Sequence, residues 1–267
     1  MSRAPSQRGN PRRRSSLKSS RYLPLVTLVI IALIWGYSWV PLKIGVVASS
    51  PFVFAALRVL PGGILMLLLM ALMRKPLRPK AVGLTALLGV LQTSGFLGMS
   101  MGALVSGGAG RTSILANTWQ FWILLMAWPI LGERLRGLQW VSVLLALSGL
   151  ILIIEPWGLQ GVTSSLLALG GAICWAGSSI VAKVLRRRHE VDNLSLTTWQ
   201  MLFGSVALIL LAVFVEGEWP VWSFEFAWSL VFTLLVTTCL ASFLWLYLLR
   251  ELPASIASLG TMGTPVV

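Results

Sequence analysis

Long apolar runs, broken by short segments carrying charge, glycine or proline, organise the sequence beyond residue 21. Most approach the roughly 20 apolar residues that carry a helix across a bilayer core. On this pattern spans are expected at Tyr22 to Val47, Phe52 to Met73, Ala81 to Leu104, Thr112 to Leu131, Leu138 to Ile154, Gly161 to Leu185, Leu196 to Val215 and Ala227 to Leu249, with a ninth beginning at Pro253 and cut off at Val267. Unpaired backbone N–H and C=O groups are costly in lipid, so the runs are expected to be helices. The connecting segments are too short to hold a soluble domain. The first run follows a basic start, as a signal peptide would. It exceeds the roughly 15 residues of such an apolar core, and its counterpart around Trp175 lies deep in the chain.

That counterpart is part of an internal duplication. Trp35-Gly36-Tyr37-Ser38 followed by Lys43 returns 140 residues later as Trp175-Ala176-Gly177-Ser178 followed by Lys183, with Ala32 matched by Ala172. Arg58-Val59-Leu60-Pro61-Gly62 parallels Gln200-Met201-Leu202-Phe203-Gly204 at an offset of 142, and Ala109 to Ile114 parallels Ala254 to Leu259 at 145, sharing Ser113 and Ser258. Five spans separate the copies, an odd number, so the copies enter the membrane in opposite senses. Such an inverted-topology repeat leaves a seam between its halves, where substrate sites of secondary transporters commonly lie.

Composition agrees with a lipid environment. Charged residues make up 11% of the chain and apolar residues 57%, with a mean hydropathy of +0.85; a soluble domain carries roughly 25% charged residues. Eighteen of the 21 Lys and Arg residues fall in Met1 to Arg21, Arg74 to Lys80, Arg134 and Arg136, Lys183 to Arg188, and Arg250. Alternating spans put all of these on one side, which the positive-inside rule assigns to the cytoplasm. The other side carries Glu155, Glu216, Glu218 and Glu225 among Trp157, Trp219, Trp222 and Trp228. The net charge of +13 therefore calls for no nucleic-acid partner. An Arg/Ser-rich stretch such as Pro11 to Arg21 also suits RNA or anionic lipid, but ahead of a first span it reads more simply as a disordered topogenic tail.

The order of these features resembles a known family. Trp35-Gly36-Tyr37-Ser38 in the first span, Arg58 in the second, Leu131-Gly132-Glu133-Arg134-Leu135 closing the fourth, Gln139-Trp140 opening the fifth and Trp175 in the sixth are similar to the EamA-type branch of the drug/metabolite transporter superfamily. The resemblance runs from about Tyr22 to the end. It implies an all-α polytopic protein of the bacterial inner membrane, with ten helices in two inverted five-helix halves, exporting amino acids, other metabolites or drugs. The expected organisation is a basic cytoplasmic tail over residues 1–21, a first repeat over 22–154 and an incomplete second repeat over 161–267. Two departures stand out. The family's proline in the fourth span is replaced by Gln120, whereas Pro265 occupies the paired place in the ninth; and about nine of ten spans are present, as expected of a chain truncated before its last helix.

Polar groups at membrane depth are the candidates for transport chemistry. Ser113, Asn117 and Gln120 follow i, i+4, i+7 and should share a face of the fourth helix, as should Gly89 and Gln92 in the third. They either line a cavity or make interhelical hydrogen bonds, typically worth about 0.6 kcal/mol in membranes. Trp35 and Trp175 sit near midspan, as packing residues or as aromatic walls of a pocket; Thr237, Thr238 and Ser242 in the eighth span are weaker candidates. Lys43 and Arg111 lie near span ends, where snorkelling serves them. Arg58 lies about two turns into its helix, which makes it either a structural post bonded to carbonyls or a ligand for an anionic group. Glu133, at the cytoplasmic end of the fourth span, is expected to pair with nearby arginines.

The expected substrate site therefore comprises Trp35, Arg58, Gln92, Asn117, Gln120, Trp175 and Thr238, with no metal or cofactor. His189, Cys174 and Cys239 show no metal spacing, and no phosphate-binding loop or catalytic carboxylate pair is present. An enzyme is thus not expected. The reading is a secondary transporter exporting small organic solutes by alternating access, with the bilayer and a small molecule as partners and a homodimer left open. The alternative is a non-transporting scaffold or sensor, or an inactive fragment of a transporter.

Overall fold

In the computed structural model, residues 22–106, 109–132, 161–216 and 219–260 are described, together with isolated positions between 137 and 149. The basic tail, Glu133, most of the expected fifth span and Pro265 lie outside the described residues. Their regular structure is helical, with no strand among them. Seven helices are long and apolar enough to cross a membrane: Leu23–Ala48, Pro51–Leu72, Val82–Val105, Gly110–Leu131, Val162–Arg188, Asn193–Glu216 and Phe224–Glu251. They correspond to the first four expected spans and to the sixth, seventh and eighth, and are named accordingly below. The start of the ninth is helical over Ala254–Gly260.

Two helices begin a turn earlier than hydropathy predicts, because capping and not apolarity sets the first turn. Asp192 accepts from the Leu194 and Ser195 N–H groups at 3.1 and 3.2 Å, so the seventh span starts at Asn193 and not Leu196. Ser223 accepts from the Phe226 N–H at 3.1 Å and starts the eighth at Phe224 instead of Ala227. Asp192 also pairs with Lys75 at 2.8 Å, tying the 74–80 connection to the seventh span.

Partial burial works to raise the Asp192 carboxyl. The bond from Lys75, those from Ser195 and Leu194, and the Lys75 charge outweigh it and hold the group below its ordinary value. A depressed folded value means that the stabilisation is complete above the unfolded pKa of about 3.9 and is lost as pH falls through the folded one. Replacing Asp192 by alanine is expected to cost about 1 kcal/mol of stability at neutral pH. Thermal unfolding in detergent at pH 7 and at pH 3 checks this, the difference between variant and parent shrinking at the lower pH.

Packing is most extensive between the third and sixth spans, and the second packs broadly on the seventh and the fourth on the sixth. Glycine makes one crossing possible. A Cβ on Gly89 would stand 2.3 Å from the Gln200 carbonyl oxygen, and one on Gly204 would stand 2.4 Å from Thr93 Cβ, so the third and seventh helices meet backbone to backbone.

The third and eighth spans each pass through π-helical turns, at Val90–Gly95 and Thr233–Leu240. Each turn donates to a glycine carbonyl of a span in the other part of the chain: Ser94 Oγ to Gly204 at 2.7 Å, Cys239 Sγ to Gly62 at 3.6 Å. The two Trp-x-x-Ser motifs also share a local bond, from Ser38 Oγ to the Trp35 carbonyl at 2.7 Å and from Ser178 Oγ to the Trp175 carbonyl at 2.6 Å. That bond satisfies a hydroxyl inside an apolar helix, the usual solution for serine there.

The two largest apolar clusters occupy opposite halves of the bundle. One, around Ile31, Ile123, Leu131, Leu185, Leu196 and Leu249, occupies the half toward Arg74, Arg186 and Arg250, here called the basic end. The other, around Leu42, Phe54, Met101, Leu104, Leu208 and Phe226, occupies the half toward Glu216 and Trp219, the acidic end. Both ends carry polar ties. Glu216 accepts from the Phe52 and Val53 N–H groups at 2.8 and 3.2 Å, capping the second span from the end of the seventh. At the basic end Arg187 donates to the Leu131 carbonyl at 2.9 Å, and Lys183 donates to the Leu252 carbonyl.

Candidate functional site

Between the two clusters lies a cavity of about 90 Å³. One water needs roughly 10 to 15 Å³ of such space, so the cavity suits a small solute. The first four spans and the sixth, seventh and eighth all contribute to the wall.

Toward the basic end the wall is aromatic. Trp35, Trp119, Trp175 and Trp245 form a closed group in which every pair of ring centroids lies between 5.1 and 6.3 Å. Phe96 adds an edge contact to Trp175 at 4.7 Å. These are the separations at which aromatic pairs attract, worth about 0.5–1.5 kcal/mol each beyond area burial. Trp35 and Trp175 are therefore packing residues and pocket walls at once, whereas Trp245 stands behind the wall, fully buried.

The rest of the wall is unusually polar for membrane depth. Arg58 is 1% exposed; its Nε has no hydrogen-bond partner, and the Phe54 ring lies 5.9 Å from its guanidinium carbon. Gln92 Nε2 and Oε1, Ser100 Oγ, Gln200 Oε1, Thr237 Oγ1 and Trp175 Nε1 are likewise buried without a partner. No Asp or Glu stands in the wall among the described residues. Buried polar groups normally find partners, so a ring of unmatched donors and acceptors around one cavity matches a ligand that supplies them.

The π-turns explain how several of these groups reach the same place. Widening the helix at Val90–Gly95 presents Gln92 and Thr93 to the cavity, and the turn at Thr233–Leu240 presents Thr237 and Thr238. Such turns interrupt the regular hydrogen-bond ladder and are frequent at functional sites.

Of the expected site residues, Trp35, Arg58, Gln92, Asn117, Trp175 and Thr238 meet in this wall; Gln120 does not. Continuous helical periodicity put Ser113, Asn117 and Gln120 on one face, but the fourth span turns at Asn117 and Thr118. There the Thr118 N–H bonds to the Leu115 carbonyl at 3.1 Å and the Phe121 N–H to Thr118 at 2.9 Å, so the faces before and after the turn are out of phase. Gln120 is buried elsewhere, 3% exposed, and Ser113 Oγ bonds to the Gly110 carbonyl at 2.9 Å. Gly89 and Gln92 also part company, the first against the seventh span and the second in the wall.

Gln200, Ser100, Trp119 and Phe96 are wall residues absent from the expected set. Gln200 had a signal, since it stands where the duplication repeats Arg58. The others are residue types too common in membrane helices to single out by sequence.

The family model for the EamA-like transporter family matches residues 23–155 and 162–267. The uncharacterized transporter YoaV of Bacillus subtilis (strain 168) is 25% identical over 250 residues, covering 91% of this chain and 85% of the relative. A probable amino-acid metabolite efflux pump of Escherichia coli (strain K12) is 27% identical over 201 residues, covering 72% of this chain and 64% of the relative. The uncharacterized inner membrane transporter YedA of the same strain is 25% identical over 255 residues, covering 94% and 82%. A solved crystal structure superposes with a TM-score of 0.70 at 20% identity, covering 92% of this chain and 86% of that one, a likeness of fold. With membrane-length helices around a polar cavity and a family model matched along most of its length, this chain is a multi-pass membrane protein that belongs to the EamA-like transporter family.

Proposed function

We propose that the protein is a secondary transporter of the bacterial inner membrane that exports small solutes bearing a carboxylate and an apolar body, such as amino acids or aromatic acids. The observation that carries this reading is Arg58, a buried cation in the cavity wall with no acidic residue beside it in that wall among the described residues. A cation at membrane depth is expensive unless it faces a polar interior or a partner; a solute carboxylate supplies the missing charge and two acceptors. The aromatic group opposite accommodates the apolar body. Trp35, Gln92, Asn117, Trp175 and Thr238 complete the proposed contacts, with Gln200 added.

Export is the direction named for the amino-acid metabolite efflux pump among the relatives. The basic end is assigned to the cytoplasm on the distribution of Lys and Arg, and the N-terminal tail with it. Residues 22–154 and 161–267 are read as two inverted repeats of one helical unit. The matched π-turns, the paired bonds to Gly204 and Gly62, and the paired Trp-Ser motifs support this reading. Alternating access then follows if the two apolar clusters take turns as the closed gate, with the π-turns absorbing the change.

Comparison of extracellular metabolites from cells with and without the protein tests the reading. Apolar carboxylates are expected to accumulate outside only when the protein is made. Release of cationic compounds alone, or no difference, would count against it.

A further inference from the structure

At the basic end, away from the cavity, a cleft of about 650 Å³ opens between the ends of the sixth and eighth spans, the 189–192 connection and Lys80. Five cations line it, Lys80, Lys183, Arg186, Arg187 and Arg250, with His189, against two carboxylates, Glu190 and Asp192. Asp192 is already engaged by Lys75 and by the first N–H groups of the seventh span.

The cations bond mostly to neutral acceptors. Arg186 donates to Asn193 Oδ1 at 2.6 Å and to the Leu246 carbonyl at 3.2 Å, Arg187 to the Leu131 carbonyl at 2.9 Å, Lys80 to the Glu190 carbonyl at 3.0 Å, and Lys183 to the Leu252 carbonyl. Arg250 pairs with Glu251 at 2.7 Å, outside the cleft. Carbonyls orient cations without neutralising them, so among the described residues the cleft keeps an excess of positive charge. Arg186 Nε, moreover, is buried with no partner.

We propose that this cleft binds a phosphate-bearing anion, at a site separate from the transported solute. A concave surface of one sign at the edge of a low-dielectric bundle concentrates counter-ions. Guanidinium forks fit the oxygens of a phosphate in paired, charge-assisted bonds, and lysines add point charge around it. Two sources offer this group: the headgroup of an anionic phospholipid at the membrane surface and a free phosphate in solution. Occupancy joins the ends of the sixth and eighth spans to the Lys80 connection, and so stabilises the bundle at that end.

Thermal unfolding of the purified full chain in a neutral detergent tests the proposal, with phosphatidylglycerol, phosphatidylcholine, inorganic phosphate, or chloride at matched ionic strength. Near saturation, a rise of about 5 °C is expected from the phosphate-bearing anion. A rise with phosphatidylglycerol alone identifies the headgroup, and a rise with inorganic phosphate as well identifies the free anion. The variant Lys80→Gln/Arg250→Gln, altered at two exposed side chains, should lose at least half of the rise. The single variants Lys80→Gln and Arg250→Gln carry the same test if the double variant does not fold. Equal rises with phosphatidylcholine or chloride, no rise at all, or an undiminished rise in the variants would overturn the proposal.

Discussion

Arg58→Gln is expected to lower carboxylate transport per folded protein by about tenfold to a hundredfold. A neutral amide of the same solute should be transported within a few-fold of its original rate. Hydrogen bonds to charged groups are worth about 1.5–3 kcal/mol, and each 1.4 kcal/mol is tenfold in affinity. Glutamine keeps polarity and approximate length in the wall while removing the cation. Because Arg58 makes no hydrogen bond at Nε and stands by the Phe54 ring, removing it breaks no ion pair among the described residues. Arg58→Lys keeps the charge and loses the planar fork, and should fall between the two. Transport normalised to membrane-inserted protein is the measurement. Equal loss for acid and amide would make Arg58 a structural post.

The largest effect on folding is expected at the glycine crossing. Gly204→Ala brings a methyl group to 2.4 Å from Thr93 Cβ and 2.5 Å from the Gly89 carbonyl oxygen; Gly89→Ala meets the Gln200 carbonyl at 2.3 Å. Overpacking ordinarily costs about 1–3 kcal/mol, and here the obstacle includes backbone, which cannot rotate away as a side-chain tip can. Separating these helices also strains the bond from Ser94 to the Gly204 carbonyl and moves Gln92 and Gln200 apart in the wall. Either variant should lower the unfolding temperature by several degrees and reduce monodisperse yield. Gly83→Ala, with nothing within 4 Å of its added Cβ, should behave as the parent; identical behaviour of all three would remove the crossing from the account.

Hydropathy is a strong guide to a membrane helix because some 20 apolar residues in a row have few other uses, and the seven long helices lie where the apolar runs are. It locates ends less well, since Asp192 and Ser223 act through hydrogen bonds to the first turn. The polar wall was legible to the extent that residues such as Arg58, Gln92 and Asn117 are out of place in apolar helices. Gln120 looked equally out of place, but its placement depended on unbroken periodicity, which the turn at Asn117 and Thr118 interrupts. The π-turns shift the faces of the third and eighth spans and have no sequence signature of their own. The duplication paired Trp35 with Trp175; that Trp119 and Trp245 complete the group depends on helix packing, which single-helix patterns do not encode.

Flux into liposomes containing the purified protein tests the central claim most directly. A labelled aromatic or branched apolar acid, its neutral amide and a cationic analogue of similar size would be compared under the same gradients, with protein-free liposomes as the baseline. Protein-dependent flux of the acid at least tenfold above that of the amide, and little flux of the cation, is the result expected from Arg58, with no acidic neighbour among the described residues, beside an aromatic wall. Protein-dependent flux of the cation alone, or no flux of any of the three, would contradict the account.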